Sequence, residues 1–250
     1  MKQLDRLTDS DHPKIREIAY QLTEGAWAED EKVRSLFYFV RDEIRFGFPS
    51  RLFDLKASEV LEEKMGACIS KTVLFKALLD AAGVGARFHF GTIDLEVFRG
   101  IVPGYMRWVF PKTVAHAWLE VMLYGEWKAM DSFIFDKPYF KGAKNKLADE
   151  GLDRGYGLAC RHSQCSCGFH FGERGFVQMQ AVSEDLGSWE DAMDFYGSGF
   201  FEEMDPRLEA LYPKMAALVN RRIRKIRIQS LKEEERPVPV ASYFDQFITR

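Results

Sequence analysis

Several scarcities in this sequence narrow what the chain can be. No run of apolar residues approaches the roughly 18 needed to cross a bilayer, so a membrane-spanning segment is not expected. The stretch Met1–Pro13 mixes charges with few apolar residues and lacks the apolar core of a signal peptide, and the expectation is a cytoplasmic protein. Cysteine is sparse, at four in 250 residues. That is too few for a disulfide scaffold, and in a reducing compartment a cysteine is more often buried, metal-bound or catalytic than paired. Charge of one sign is also lacking. With 35 Lys and Arg against 38 Asp and Glu, the net charge of −3 gives no electrostatic ground for a nucleic acid or membrane partner. No internal repeat or low-complexity tract is visible.

What is present is ordinary for a globular chain, with 46% hydrophobic and 29% charged residues. The length suits one large domain, or a core of about 130–150 residues with an appended piece. Pro13 opens a helix over 13–24, with Asp11 as its cap. A second helix over 29–45 places Val33, Leu36, Phe37, Val40 and Ile44 on one face. A short helix over 56–64 runs to a stop at Gly66, and another begins at Cys68 and ends before Gly83, carrying Ile69, Val73, Leu74, Ala77 and Leu78 on its core side. The periodicity then changes. Residues 84–93 and 114–123 alternate, and Tyr124-Gly125-Glu126 forms a tight turn into a strand over 126–131. Helices followed by antiparallel strands predict an α+β fold. The 141–175 segment, rich in glycine, charge and cysteine, reads as a long connection or small subdomain. Two helices close the chain: one over 188–196 capped by Ser188, and one from Asp205-Pro206 with Leu208, Leu211, Tyr212, Met215, Leu218, Val219, Ile223 and Ile226 on one face. The tail after 233 is expected to be extended.

Three residues carry a chemical reading. Cys68 is placed at a helix start, where unpaired N–H groups and the positive end of the helix favour a thiolate and can stabilise an oxyanion. Alone, it would pass for a small buried hydrophobe. His116 lies on a strand, facing away from Ala117, Leu119 and Val121 and on the side of Trp118 and Glu120. A hairpin turning at 124–126 pairs residues near 116–119 with residues near 131–134, which brings Asp131 beside His116. A carboxylate there can hold one ring nitrogen while the other takes a proton from the thiol.

The segments GACISKTVLFKALLDAAGVGARFHFG (66–91), HAWLEVML and GEWKAMD together resemble the core of the transglutaminase-like superfamily over residues 30–135. The resemblance implies a papain-like core of helices packed on an antiparallel sheet. It assigns Cys68, His116 and Asp131 as nucleophile, base and orienting acid, with Trp118 as an aromatic near the site and a candidate substrate contact. Gly85 stands where the family often has proline. Papain-like folds also supply a second oxyanion donor from a side chain upstream of the nucleophile, and Phe46 and Phe48, in that region, cannot donate. The arginine-glycine-glycine approach to the cysteine of the arylamine N-acetyltransferases is absent.

The resemblance implies thiol-dependent acyl transfer on a peptide, a protein or a small amide. Without a visible calcium site it leans toward a protease or amidase, with transamidation or a catalytically silent protein-binding module as alternatives. No cofactor is required for that chemistry. A structural zinc is a separate expectation, because Cys160, His162, Cys165 and Cys167, with His170 close by, could form a tetrahedral set. Against it, C-x4-C-x-C is not a common zinc spacing. The basic run Arg221, Arg222, Arg224, Lys225 and Arg227 reads as a solvated face at a helix C-terminus. The expected organisation is a catalytic core over 1–135 and a connection with helical extension over 136–250; the oligomeric state is not legible.

Overall fold

The computed structural model describes residues 6–107, 110–159, 165–171 and 175–234. In chain order the elements are α1 (Pro13–Thr23), α2 (Glu29–Glu43), β1 (Arg45–Phe46), α3 (Ala57–Glu63), β2 (Met65–Gly66), α4 (Cys68–Ala81), β3 (Ala86–Asp94), α5 (Gly104–Arg107), β4 (Thr113–Leu123), β5 (Glu126–Met130), α6 (Lys137–Glu150), β6 (Arg154–Gly155), β7 (Leu158–Ala159), β8 (Val182–Trp189), α7 (Ala192–Gly197) and α8 (Pro206–Glu234). The main sheet has the order β5-β4-β3-β8, antiparallel throughout, and β1 pairs in parallel with β2. The fold is α+β, as the switch in periodicity predicts. The tail beyond Glu234 lies outside the described residues.

Helix α4 is the centre of the molecule. It packs against α1, α2 and α3 on one side and against β3 and β4 on the other. The sequence pattern gave it one apolar face, but every residue from Ile69 to Leu79 is buried, including Lys71, Thr72 and Lys76. Their polar ends are satisfied internally: Lys71 Nζ donates to the carbonyl of Ile44 at 2.6 Å, and Lys76 pairs with Asp80 at 2.9 Å. Buried polar groups are tolerated when bonded in this way. Phe88 and Phe90 on β3 and Ala117, Leu119 and Val121 on β4 form the sheet's inner face.

Several local expectations change. His12, not Asp11, caps α1, accepting through Nδ1 from Lys14 N. Lys64, in a left-handed conformation (φ 50°), closes α3 ahead of Gly66. The 141–175 segment is not a plain connection, because α6 fills its first part. Asp136 caps that helix through a bond from Tyr139 N, Pro138 stands in the first turn, and Gly151 (φ 63°) ends it. Gly142 disguised this helix, yet it is there for packing: a Cβ at that position would meet Ile226 of α8 at 2.8 Å. Ser188 and Trp189 belong to β8, a largely polar edge strand, and the helix expected there begins only at Ala192 behind the cap Asp191. An edge strand exposed to solvent has little alternation to read.

On α8 the buried stripe runs Tyr212, Ala216, Val219, Ile223, Ile226 and Ser230, while Leu211 is exposed. The basic run is not uniformly solvated. The Arg227 guanidinium bonds both carboxylate oxygens of Asp136 at 2.8 and 2.6 Å and the carbonyl of Phe46 at 2.8 Å. It lies next to Ile226 at the edge of the apolar stripe and is long enough to reach inward. Removing one partner of a buried pair strands the other's charge, so Arg227→Leu should destabilise the chain by about 3 kcal/mol in urea unfolding. A loss below about 1 kcal/mol would assign the pair to the class of inconsequential surface bridges.

Candidate active site

Cys68 is the first residue of α4. Ala67 precedes it as N-cap without a side chain to bond, so the turn is closed from one side only: Ser70 Oγ accepts from Ala67 N at 2.9 Å. The amides of the first turn have no acceptor within the helix and lie at its positive end. The Cys68 side chain is half-buried, hence reachable. Thr72 Oγ1 donates to the Cys68 carbonyl at 2.7 Å and lies 3.4 Å from that of Ala117 on β4, so it ties the helix start to the strand that bears the histidine.

Alternation on β4 holds. Ala117, Leu119 and Val121 enter the core, and His116 and Trp118 share the other face. That face is covered, and His116 is 0% exposed. Gly91 of β3 lies directly across from His116. A Cβ on Gly91 would meet the Glu184 carbonyl of β8 at 2.6 Å and the Trp118 ring at 3.2 Å. The absence of a side chain there lets β8 and Trp118 close over the sheet.

The hairpin turns through Tyr124 and Gly125, both at positive φ (53° and 81°), and pairs Leu119 with Met130. Extended one step, that register sets Asp131 opposite Trp118, diagonally adjacent to His116 on the same face. The ring nitrogen Nε2 is 3.7 Å from Asp131 Oδ2. This exceeds hydrogen-bond length, and neither ring nitrogen has a partner at bonding distance. Burial alone would hold the imidazole neutral, but Asp131 and Cys68 outweigh it and lift the pKa to about 9.

Asp131 is itself 0% exposed, and its charge is held by backbone. Val177 N donates to Oδ1, and Gln178 N to Oδ2 at 3.0 Å, while the amides of Asp131 and Ser132 both donate to the Gly175 carbonyl at 3.0 and 3.1 Å. The 175–178 segment thus builds the back wall of the site. Sequence reasoning missed it because backbone amides carry no residue-type signature.

Trp118 is 3% exposed. It stacks on His89 at 4.2 Å and is tilted against His116 at 5.8 Å, while His89 bridges Glu120 at 3.1 Å and Asp185 at 2.6 Å. The ring has little surface to offer a substrate and serves to pack His116. In the region expected to hold a second oxyanion donor, the Phe46 and Phe48 side chains cannot donate, and the backbone amides are taken. Phe46 N donates to Asp136 Oδ2, Gly47 N to the Gly66 carbonyl and Phe48 N to Asn220 Oδ1, at 2.9, 3.1 and 2.8 Å. The donor set on view is the first turn of α4.

Cys160 and His162 lie outside the described residues. Cys165 is disulfide-bonded, so its sulfur is no thiolate ligand, contrary to the expectation of unpaired cysteines. Burial pushes the free Cys167 thiol up. Among the described residues no cluster of three or more His, Cys, Asp or Glu could hold a metal ion.

Residues 16–132 match the family model described as the transglutaminase-like superfamily. No curated relative matches. Among solved structures, the chain is similar to a candidate cysteine protease from Cytophaga hutchinsonii, at 16% identity and TM-score 0.45, covering 76% of this chain and 46% of that one. It is also similar to a candidate protease from Parabacteroides distasonis, at 17% identity and TM-score 0.36, covering 50% and 24% of the two chains. A protein described as a TGase gives 17% identity and TM-score 0.31, covering 50% and 31%. The chain spans less than half the length of each.

A group whose folded pKa is raised contributes stability below its unfolded pKa and loses it as pH rises through the folded one. For His116 that window runs from the ordinary imidazole value of 6.5 to about 9. NMR titration of the His116 ring should give a midpoint near 9, and Asp131→Asn should move it down because burial then prevails. A midpoint near the ordinary value, unmoved by Asp131→Asn, would mean that the two residues do not interact.

Proposed function

We propose that the chain, whose residues 16–132 match the family model of the transglutaminase-like superfamily, is a thiol acyl-transfer enzyme acting on an amide or ester carbonyl. Cys68 is the nucleophile, His116 the base and Asp131 the orienting acid, and a cysteine protease or amidase is the favoured form. The observation that carries this reading is a fully buried imidazole 3.7 Å from a buried carboxylate, whose charged form is favoured by that carboxylate and by the half-buried Cys68. A protein has little use for a charged ring in that position unless the charge stabilises a neighbouring thiolate.

The steps follow from the placement of the groups. His116 takes the Cys68 proton and becomes imidazolium, which Asp131 stabilises. The thiolate adds to the carbonyl carbon, and the oxygen takes the resulting charge in front of the first-turn amides of α4. The carbonyl reforms, the bond from carbon to the leaving nitrogen or oxygen breaks, and His116 returns its proton to the departing group. This leaves a thioester on Cys68. Water, deprotonated by His116, then adds to the thioester, and the acid and free thiol are released. An amine in place of water gives transamidation, with the same residues and the same first half-reaction. The substrate is a peptide, a protein or a small amide. A silent binding module fits poorly, because nothing in such a role requires all three groups to be retained.

Iodoacetamide should label Cys68 at about pH 6 at least tenfold faster than a model thiol, and His116→Ala should slow that labelling about tenfold or more. Mass spectrometry after incubation with an activated ester should show one acyl group on Cys68. Labelling no faster than the model thiol, together with no acyl adduct, would contradict the reading.

A further inference from the structure

Helix α8 lies wholly outside the residues that match the family, yet it grips the short strand that precedes the nucleophile. Asn220 Oδ1 accepts from Phe48 N at 2.8 Å and its Nδ2 donates to the Phe48 carbonyl at 2.8 Å, so one side-chain amide closes both backbone groups of one residue. Arg227 donates to the Phe46 carbonyl while holding Asp136, whose Oδ2 accepts from Phe46 N. Tyr212 donates its hydroxyl hydrogen to the Pro49 carbonyl at 2.9 Å. Residues 46, 48 and 49 are thus all anchored by one helix.

What this segment holds is the approach to Cys68. Phe46 pairs with Gly66, and Gly47 N donates to the Gly66 carbonyl at 3.1 Å. The far side of the Gly66–Ala67 peptide is fixed by Ser70 Oγ, which accepts from Ala67 N at 2.9 Å. The fit leaves no slack. A Cβ on Gly47 would lie 2.8 Å from Met65 Sδ and 3.0 Å from Asn220 Oδ1, and one on Gly66 would lie 2.8 Å from Lys71 Cγ. The peptide plane that leads into α4 is therefore held at its oxygen by Gly47, the residue after β1, and at its N–H by Ser70 of α4, and the Cys68 amide projects from the next peptide along.

We infer that Asn220 is a positioning residue of the site: by closing both backbone bonds of Phe48 it fixes β1 against β2 and so aims the first-turn amides of α4 at the carbonyl oxygen. The inference rests on the acyl-transfer reading above. It divides two reactions of the same thiol. Alkylation by iodoacetamide displaces iodide from carbon and places no charge on a carbonyl oxygen, so it needs the thiolate but not aimed amides. Acylation by an ester needs both.

The test compares the full-length wild type with Asn220→Leu and Asn220→Asp, measuring Cys68 alkylation by iodoacetamide, the acylation burst with p-nitrophenyl acetate, and the thermal midpoint of each variant. Acylation by Asn220→Leu should fall about tenfold, because small misplacements are costly, while alkylation stays within about twofold of wild type. Asn220→Asp retains the acceptor for Phe48 N but loses the donor, so its acylation should fall between the two; it also stands in for Asn220→Leu if that variant fails to fold. Equal falls in both reactions would reduce Asn220 to a fold-stabilising role, and unchanged acylation would remove it from the site; either overturns the inference. A wild type that neither alkylates fast nor acylates would instead overturn the acyl-transfer reading beneath it.

Discussion

The arrangement depends on a buried imidazole–carboxylate pair. His116 and Asp131 are both fully buried, 3.7 Å apart at Nε2 and Oδ2. Desolvation works against the charge on each, so the surroundings must compensate. Asp131 receives two backbone N–H bonds from Val177 and Gln178. His116 has no hydrogen bond of its own and draws on Asp131 and Cys68. The compensation is therefore lopsided: the carboxylate is fixed by the fold, and the imidazole is held by the carboxylate and the thiol.

That lopsidedness explains why distant pieces of chain converge on the site. β4 carries His116 and β5 delivers Asp131. The 175–178 segment clamps Asp131, Thr72 ties α4 to β4, and Gly91 lets β8 and Trp118 close over the sheet. On the other side of Cys68, Arg227 of α8 and Asp136 hold Phe46, Asn220 of α8 holds Phe48, and Gly47 between them holds the peptide that precedes Ala67 and Cys68. The two halves of the chain share this site, because residues beyond 135 supply both the backbone bonds to Asp131 and the contacts that brace the approach to Cys68.

How much was legible followed from what kind of signal each element carries. Cys68 at a helix start and His116 on an alternating strand were readable because periodicity places them. The turn at Tyr124-Gly125 set a register that put Asp131 within one diagonal step of His116. The α+β class followed from the same change of period. Helix α6 was hidden by Gly142, whose role is to admit Ile226 and not to break the helix. Strand β8 was hidden by its polar, exposed edge. Arg227 looked solvated because a charge run says nothing about which member reaches inward. The amides of Val177 and Gln178 could not be read at all, since their contribution comes from backbone and the fold alone decides where backbone points.

The acyl-transfer proposal requires that the buried His116 imidazolium favour the thiolate form of Cys68. The most direct measurement is the ultraviolet absorbance of the thiolate as a function of pH, taken as the difference between wild type and Cys68→Ser and repeated in a His116→Ala background. The expected result is a thiolate signal already present at about pH 6 in the wild type and lost in the His116→Ala background. A signal that appears only as pH rises through the ordinary thiol range near about 8.5, the same in both backgrounds, would contradict it.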